Sequence, residues 1–183
     1  MSEDFTGAED ASALQGVSDP FQRLWTPHRL VYIQSGTQPH DDDCPFCIAP
    51  SLSDEQALIV HRGVSCFVLL NLYPYNSGHL LVVPYRHIPN YTDASPEEIL
   101  EYGELTQKAM RVLKAVGGAH GFNIGMNQGE VAGAGIASHL HQHVVPRWRN
   151  DSNFFPIIAQ TKALPKLLGD VRIEIANAWL NNS

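Results

Sequence analysis

The chain of 183 residues lacks several features, and each lack excludes a class of function. No apolar run approaches the roughly 20 residues of a membrane-spanning helix, so no membrane association is expected. Basic residues are scarce: 12 Lys and Arg stand against 19 Asp and Glu, a formal net charge of −7. Polymeric nucleic acid needs a basic footprint and is not an expected partner. A small phosphorylated ligand needs only a few local donors and stays open. Cysteine is also scarce, and an odd count of three supplies no disulfide framework. The first 16 residues carry neither the basic stretch nor the apolar core of a secretory signal. Residues 1–18 therefore read as a disordered tail ahead of a single domain spanning 19–183, in a cytoplasmic protein.

After an aromatic, amphipathic stretch from Pro20 to Ile33, an acidic loop (Gln34 to Asp43) leads into Cys44. Two β-rich apolar runs follow, Val64 to Leu72 and Gly78 to Arg86. The Pro74, Asn76 and Ser77 between them supply turn chemistry, which predicts a long-loop hairpin. A helix is expected next. Ser95 caps it, Pro96 occupies its first turn and Glu98 closes a capping box. Ile99, Tyr102, Leu105, Ala109, Val112 and Val116 mark one face, and Gly117-Gly118 ends it. Gly121 to Asn127 reads as a strand, Gln128 to Gly135 as a glycine-rich loop, and Ser138 to Val145 as another strand. From about Ala159 to Leu180 the pattern is helical, with a break near Pro165. This order is α+β: an antiparallel sheet with one long capped helix and C-terminal helices.

The stretch "SHLHQHVVPRW" (Ser138 to Trp148) places histidines at every second position. On a strand His139, His141 and His143 share one side, about 6.5 Å apart, and Leu140, Gln142 and Val144 share the other. At that spacing the three cannot ligate one ion unless the chain bends. A row of separate tasks fits better. The plain reading of a strand histidine is a half-solvated residue with a structural hydrogen bond; three in alternation beside a glycine-rich loop favour chemistry. Neutral imidazole is a nucleophile near neutral pH, provided its second nitrogen is held by an acceptor such as a backbone carbonyl. Attack on phosphorus also needs donors for the non-bridging oxygens and a proton for the leaving group. His143 is placed to give that proton, and amides of the glycine-rich loop can form an anion nest.

"HLHQHVVPR" resembles the signature of the histidine-triad superfamily, and "LLNLYPYNSGHLLVVPYRHI" resembles that superfamily's nucleotide-binding hairpin. The resemblance covers about Cys44 to Arg147 and implies a histidine-triad fold and a homodimer or higher homo-oligomer. It implies that His141 is the nucleophile of a nucleotidyl-histidine intermediate, with His143 and His79 beside the α-phosphate. By the same resemblance Asn71 binds ribose, Asn127 lies on the phosphate side, and Leu72 and Phe67 border the adenine. Many relatives carry a Gln-Ser or Gln-Thr pair where this chain has Gly135 and Ile136. Backbone amides around Ala134 and Gly135 are then expected to make the phosphate contacts. "LWTPHR" and "PRWRNDSNF" resemble actinobacterial diadenosine tetraphosphate phosphorylases, which use inorganic phosphate to give ATP and ADP. The alternatives are a dinucleoside polyphosphate or nucleoside phosphoramidate hydrolase, or a non-catalytic nucleotide-binding module stabilised by zinc.

Cys44-Pro-Phe-Cys47 has the two-residue spacing of a zinc knuckle, with a pair of free thiols as the plain alternative. Some bacterial histidine-triad proteins complete such a site with two histidines. By that resemblance His87 and His139 are the remaining ligands of a structural Zn²⁺. Cys66 reads as core, and His28, His40, His61 and His120 as surface residues. Trp25, Trp148 and Phe154 read as core or dimer aromatics.

Overall fold

A computed structural model describes residues 44–149, 151 and 165–181. The expected tail, Trp25, His28, His40, Phe154 and the helical pattern before Pro165 lie outside the described residues.

Five strands form one antiparallel sheet: β1 (Ile59–Arg62), β2 (Cys66–Leu70), β3 (Leu80–Pro84), β4 (Gly121–Gly125) and β5 (Gln142–Arg147), in the order β1-β2-β3-β5-β4. The expected hairpin is the β2–β3 pair, in register from Cys66 opposite Pro84 to Leu70 opposite Leu80. Every residue of these two strands is buried. That is why both read as continuous apolar runs rather than alternating ones. Cys66, Val68 and Leu70 face the helices, while Phe67 and Leu69 join Leu81, Val83 and Phe46 on the opposite face. Full burial of each such side chain is worth about 1.5–3 kcal/mol, so the hairpin anchors whatever hangs from its ends.

The long helix α2 (Pro96–Gly117) has the expected start. Ser95 Oγ accepts from the Glu98 amide at 3.3 Å, and the Glu98 carboxylate accepts from the Ser95 amide at 2.7 Å. It ends at Gly118, whose left-handed φ of 60° suits a residue without Cβ. The buried face is Glu98, Tyr102, Leu105, Ala109, Val112 and Leu113; Ile99 and Val116, expected on it, lie at its exposed margins. At the first turn Arg86 pairs with the Glu98 carboxylate (2.6 Å and 2.8 Å). Helix α3 (Leu168–Asn181) begins three residues after Pro165 and packs Val171, Ile175 and Trp179 onto α2 and β1.

One element went unread and one expectation needs correction. Strand β1 gave no usable signal, being four residues long with a polar half, His61-Arg62. The strand expected over Ser138 to Val145 begins at Gln142 and extends to Arg147. Its ladder with β3 stops at Val82 opposite Gln142. Farther along β3, Pro84 has no N–H to donate and its carbonyl accepts from the His139 ring. Ser138 to His141 is instead a lead-in pinned by the Leu140 amide, which donates to the Ile88 carbonyl at 2.6 Å.

Candidate functional site

Alternation survives in the lead-in even without a full ladder. Leu140 and Val144 lie in the helix-side core, and the Gln142 amide donates to Thr106 Oγ1 of α2. The three histidines occupy the other face and separate into two clusters.

The first cluster is built by a one-turn helix, α1 (Pro45–Ile48), which brings Cys47 back over Cys44 through a 3.0 Å backbone bond. Cys44 Sγ lies 3.4 Å from His139 Nδ1, and Cys47 Sγ lies 3.1 Å from His87 Nδ1 and 3.5 Å from His139 Nδ1. All four ligand atoms fall within 4.8 Å of one another. A tetrahedral ion with two sulfur and two nitrogen ligands has edges of about 3.3–3.8 Å, so this set can hold a metal. His139 Nε2 donates to the Pro84 carbonyl at 3.0 Å, which directs Nδ1 at the thiols. Burial pushes the His139 pKa down to about 4, with the Pro84 carbonyl opposing and His87 and His141 adding to the fall. A neutral ring is what a metal ligand must be.

The second cluster is His141, His143 and His79. The nitrogen protonation in it follows from backbone groups that can only donate or only accept. His141 Nδ1 lies 2.9 Å from the His139 carbonyl, so Nδ1 carries the proton. Burial holds the His141 pKa below its ordinary value, so the ring is neutral and Nε2 keeps its lone pair. At His79 the logic reverses. The Tyr75 amide donates to His79 Nδ1 at 3.1 Å, which puts the proton on Nε2. His79 Nε2 therefore donates to His143 Nδ1 at 2.9 Å, and His143 in turn carries its proton on Nε2. The His141 and His143 rings meet edge to face at 5.1 Å. One imidazole offers a lone pair beside another that offers a proton: the requirements of nucleophilic displacement with acid assistance.

The remaining expected site residues are less uniform. Asn71 sits beside His79, its Nδ2 3.4 Å from His79 Nδ1 and its Oδ1 accepting from the Tyr73 amide. Leu72 is exposed just beyond it. Asn127, Ala134 and Gly135 lie half-buried or exposed along the loop that joins β4 to the lead-in. Phe67 is 0% exposed, stacks against Tyr85 at 5.2 Å and shares the core cluster of Phe46. Cys66 is core as expected, while His61 stacks on Trp179 and His120 accepts from the Arg149 amide. Trp148 donates to the Gly117 carbonyl at the end of α2.

Two residues went unread in the sequence. Phe46 packs 5.5 Å from the His139 ring and 5.1 Å from the His141 ring, joining the two clusters. Its place between the two cysteines was the available signal. Tyr75 covers His79 and His143 and supplies the amide that sets their protons. A backbone amide leaves no mark in a sequence.

Comparison with known proteins gives a consistent outcome. The HIT domain family model matches residues 54–150. An AP-4-A phosphorylase of Mycobacterium tuberculosis is 47% identical over 170 residues, covering 90% of this chain and 87% of that one. A bis(5'-nucleosyl)-tetraphosphatase (asymmetrical) of Schizosaccharomyces pombe is 35% identical over 51% of this chain and 50% of its own length. Among solved structures, a zinc-bound histidine triad family protein from Mycobacterium smegmatis superimposes with a TM-score of 0.63. It is 26% identical, covering 78% of this chain and 96% of that one.

Proposed function

From the premise that this chain belongs to the HIT domain family, we propose that it is a nucleotidyl transferase that splits diadenosine tetraphosphate with inorganic phosphate into ATP and ADP. One observation carries the reading. His141 Nδ1–H is held by the His139 carbonyl, so Nε2 is the nitrogen free to attack. In the first step His141 Nε2 bonds to the α-phosphorus of one adenylyl unit. The bond to the bridging oxygen breaks, and that oxygen leaves on the ATP anion, accepting a hydrogen bond from His143 Nε2–H. In the second step a phosphate oxygen attacks the same phosphorus, the phosphorus–nitrogen bond breaks and ADP leaves. His79 polarises His143, Asn71 holds ribose, Leu72 lies along the base, and Asn127 with the amides of Ala134 and Gly135 receives the phosphate oxygens.

The full identity range of the mycobacterial AP-4-A phosphorylase, and its name, support the phosphorolytic form. Zinc is the metal that two thiolates and two imidazoles favour, and the M. smegmatis relative is zinc-bound. Held by Cys44, Cys47, His87 and His139, it supplies structural cross-linking, and no step of the reaction runs through it. A cytoplasmic location belongs to the same reading; among the described residues no helix is long and apolar enough to cross a membrane. So does a homo-oligomer, for which the outer edge of β4 is unpaired among the described residues. Light scattering of the purified protein tests it.

The decisive experiment incubates the protein with diadenosine tetraphosphate, with and without phosphate, and separates the products. Equal ATP and ADP only when phosphate is present is the expected result. AMP without phosphate would make the protein a hydrolase, and no turnover would make it a binding module.

A further inference from the structure

The direction of the proton chain depends on where the Tyr75 amide points, and that amide sits in an exposed turn. Leu72, Tyr73 and Tyr75 are exposed, although the Tyr75 ring lies against His79 and His143 and the Tyr73 amide donates to Asn71 Oδ1. Asn76 ties the segment to the far end of β5. The two hydrogens of Asn76 Nδ2 are used separately, one on the Pro146 carbonyl at 3.0 Å and one on Asp151 Oδ2 at 2.9 Å. Both partners are acceptors, so the amide cannot be flipped. Asp151 is itself clamped by Arg147 Nε and Nη2 (2.5 Å and 2.8 Å) and by the Trp148 amide, at the far end of β5. From Asn76 the chain returns through the His79 amide, which donates to the Asn76 carbonyl at 3.1 Å, and through Gly78 at φ +78°. A Cβ at Gly78 would stand 3.1 Å from Leu113, so the turn has one tight path back to His79.

We propose that Asn76 and Asp151 are positioning residues: they hold the Tyr75 amide on His79 Nδ1 and thereby keep an N–H, rather than a lone pair, at His143 Nε2. This rests on the reading of His143 as the donor to the leaving oxygen. Without the clamp the Tyr75 amide leaves His79 Nδ1, the longer 3.4 Å contact from Asn71 Nδ2 holds it less firmly, and His79 shifts toward carrying its proton on Nδ1. Its Nε2 then accepts from His143 Nδ1–H, and His143 Nε2 becomes a lone pair instead of a donor. In the exchange solvent gives a proton to His79 Nδ1, the His79 Nε2 proton passes to His143 Nδ1, and the His143 Nε2 proton goes to solvent, so each ring stays neutral. Neither Asn76 nor Asp151 touches substrate in this scheme.

The test uses the full chain with Asn76→Ala and, should that variant fold poorly, the near-isosteric Asp151→Asn. Long-range proton–nitrogen NMR of the histidine rings reads the tautomers directly. Wild type is expected to show His79 and His143 protonated on Nε2, and both variants to shift His79 toward Nδ1. A wild-type His79 protonated on Nδ1, or tautomers unmoved in both variants, overturns the proposal. The second arm compares the 4-nitrophenyl and unsubstituted phenyl esters of AMP. The phenyl leaving oxygen is the more basic and needs the proton more. A loss of about tenfold or more in kcat for the phenyl ester, with about twofold or less for the nitrophenyl ester, is expected from the usual 10²–10⁴ range of acid catalysis. Equal losses on both esters overturn the proposal. If wild type cleaves neither ester, the NMR arm decides the clamp, and the proposed function is judged on diadenosine tetraphosphate.

Discussion

His139 and His143 lie four residues apart, share one face of the chain, and stand in clusters with opposite duties. In the thiol cluster His139 gives its Nε2–H to Pro84 and turns Nδ1 toward two sulfurs. In the reaction cluster His143 receives a hydrogen bond at Nδ1 and keeps its proton on Nε2. His141, between them, is protonated on Nδ1 by the carbonyl of His139 itself. Under the proposed function the same side chain serves as a ligand, a nucleophile or a hydrogen-bond donor according to which backbone group stands beside it. Rigidity is the shared condition. Both clusters hang from a hairpin whose ten strand residues are buried.

The contrast breaks most visibly at His141. His141→Gly should reduce dinucleotide turnover by about 10³-fold or more, as loss of a covalent nucleophile does, while metal content and thermal stability change little. Rate and metal analysis on one preparation check this; a variant as fast as wild type would end the nucleophile assignment. The converse experiment removes the metal. Stripping with chelator, or Cys47→Ser, should lower stability by about 4 kcal/mol where metal stood at a thousandfold its dissociation constant. That corresponds to roughly 10 °C in Tm for a domain of this size. Calorimetry and kcat per folded molecule together decide whether the thiol cluster is structural: kcat should hold below the new Tm.

Glu98→Gln sharpens the comparison, because Arg86, its partner, directly precedes His87 of the thiol cluster. Loss of a hydrogen bond to a charged group predicts about 1.5–3 kcal/mol at neutral pH and a weaker metal site, with the His79–His143 bond intact. The Arg86 guanidinium holds the folded Glu98 carboxyl below its ordinary 4.5, with burial opposing. Its contribution is therefore complete above pH 4.5 and disappears as pH falls through the lower folded value. Urea midpoints for both proteins should converge in that acidic range; a gap independent of pH would refute the ion-pair explanation. The smallest effect belongs to Ser95→Ala, which removes the cap of α2 on the helix side of the sheet. About 1 kcal/mol, or 2–4 °C, is expected in a melting curve, with neither cluster altered.

Much of this was readable in the chain. The capping box, the glycine stop and the apolar hairpin are local, and each reports a free energy carried by residues within a few positions. The alternating histidines and the C-x-x-C pair were readable because period and spacing are themselves geometric. Strand β1 was not, since four residues with a polar half have no period to detect. Nor was the exposed margin of α2 at Ile99 and Val116, which depends on where the sheet ends beneath it.

The order of residues along the chain was enough to say that histidines and cysteines would gather on one face of an α+β sheet. It could not say which nitrogen of which ring holds a proton. That assignment comes from the Pro84 and His139 carbonyls, the Tyr75 amide and the Asn76–Asp151 tie, brought together from up to 75 positions away. Every residue but proline carries the same amide and carbonyl, so only the assembled backbone distinguishes one from another.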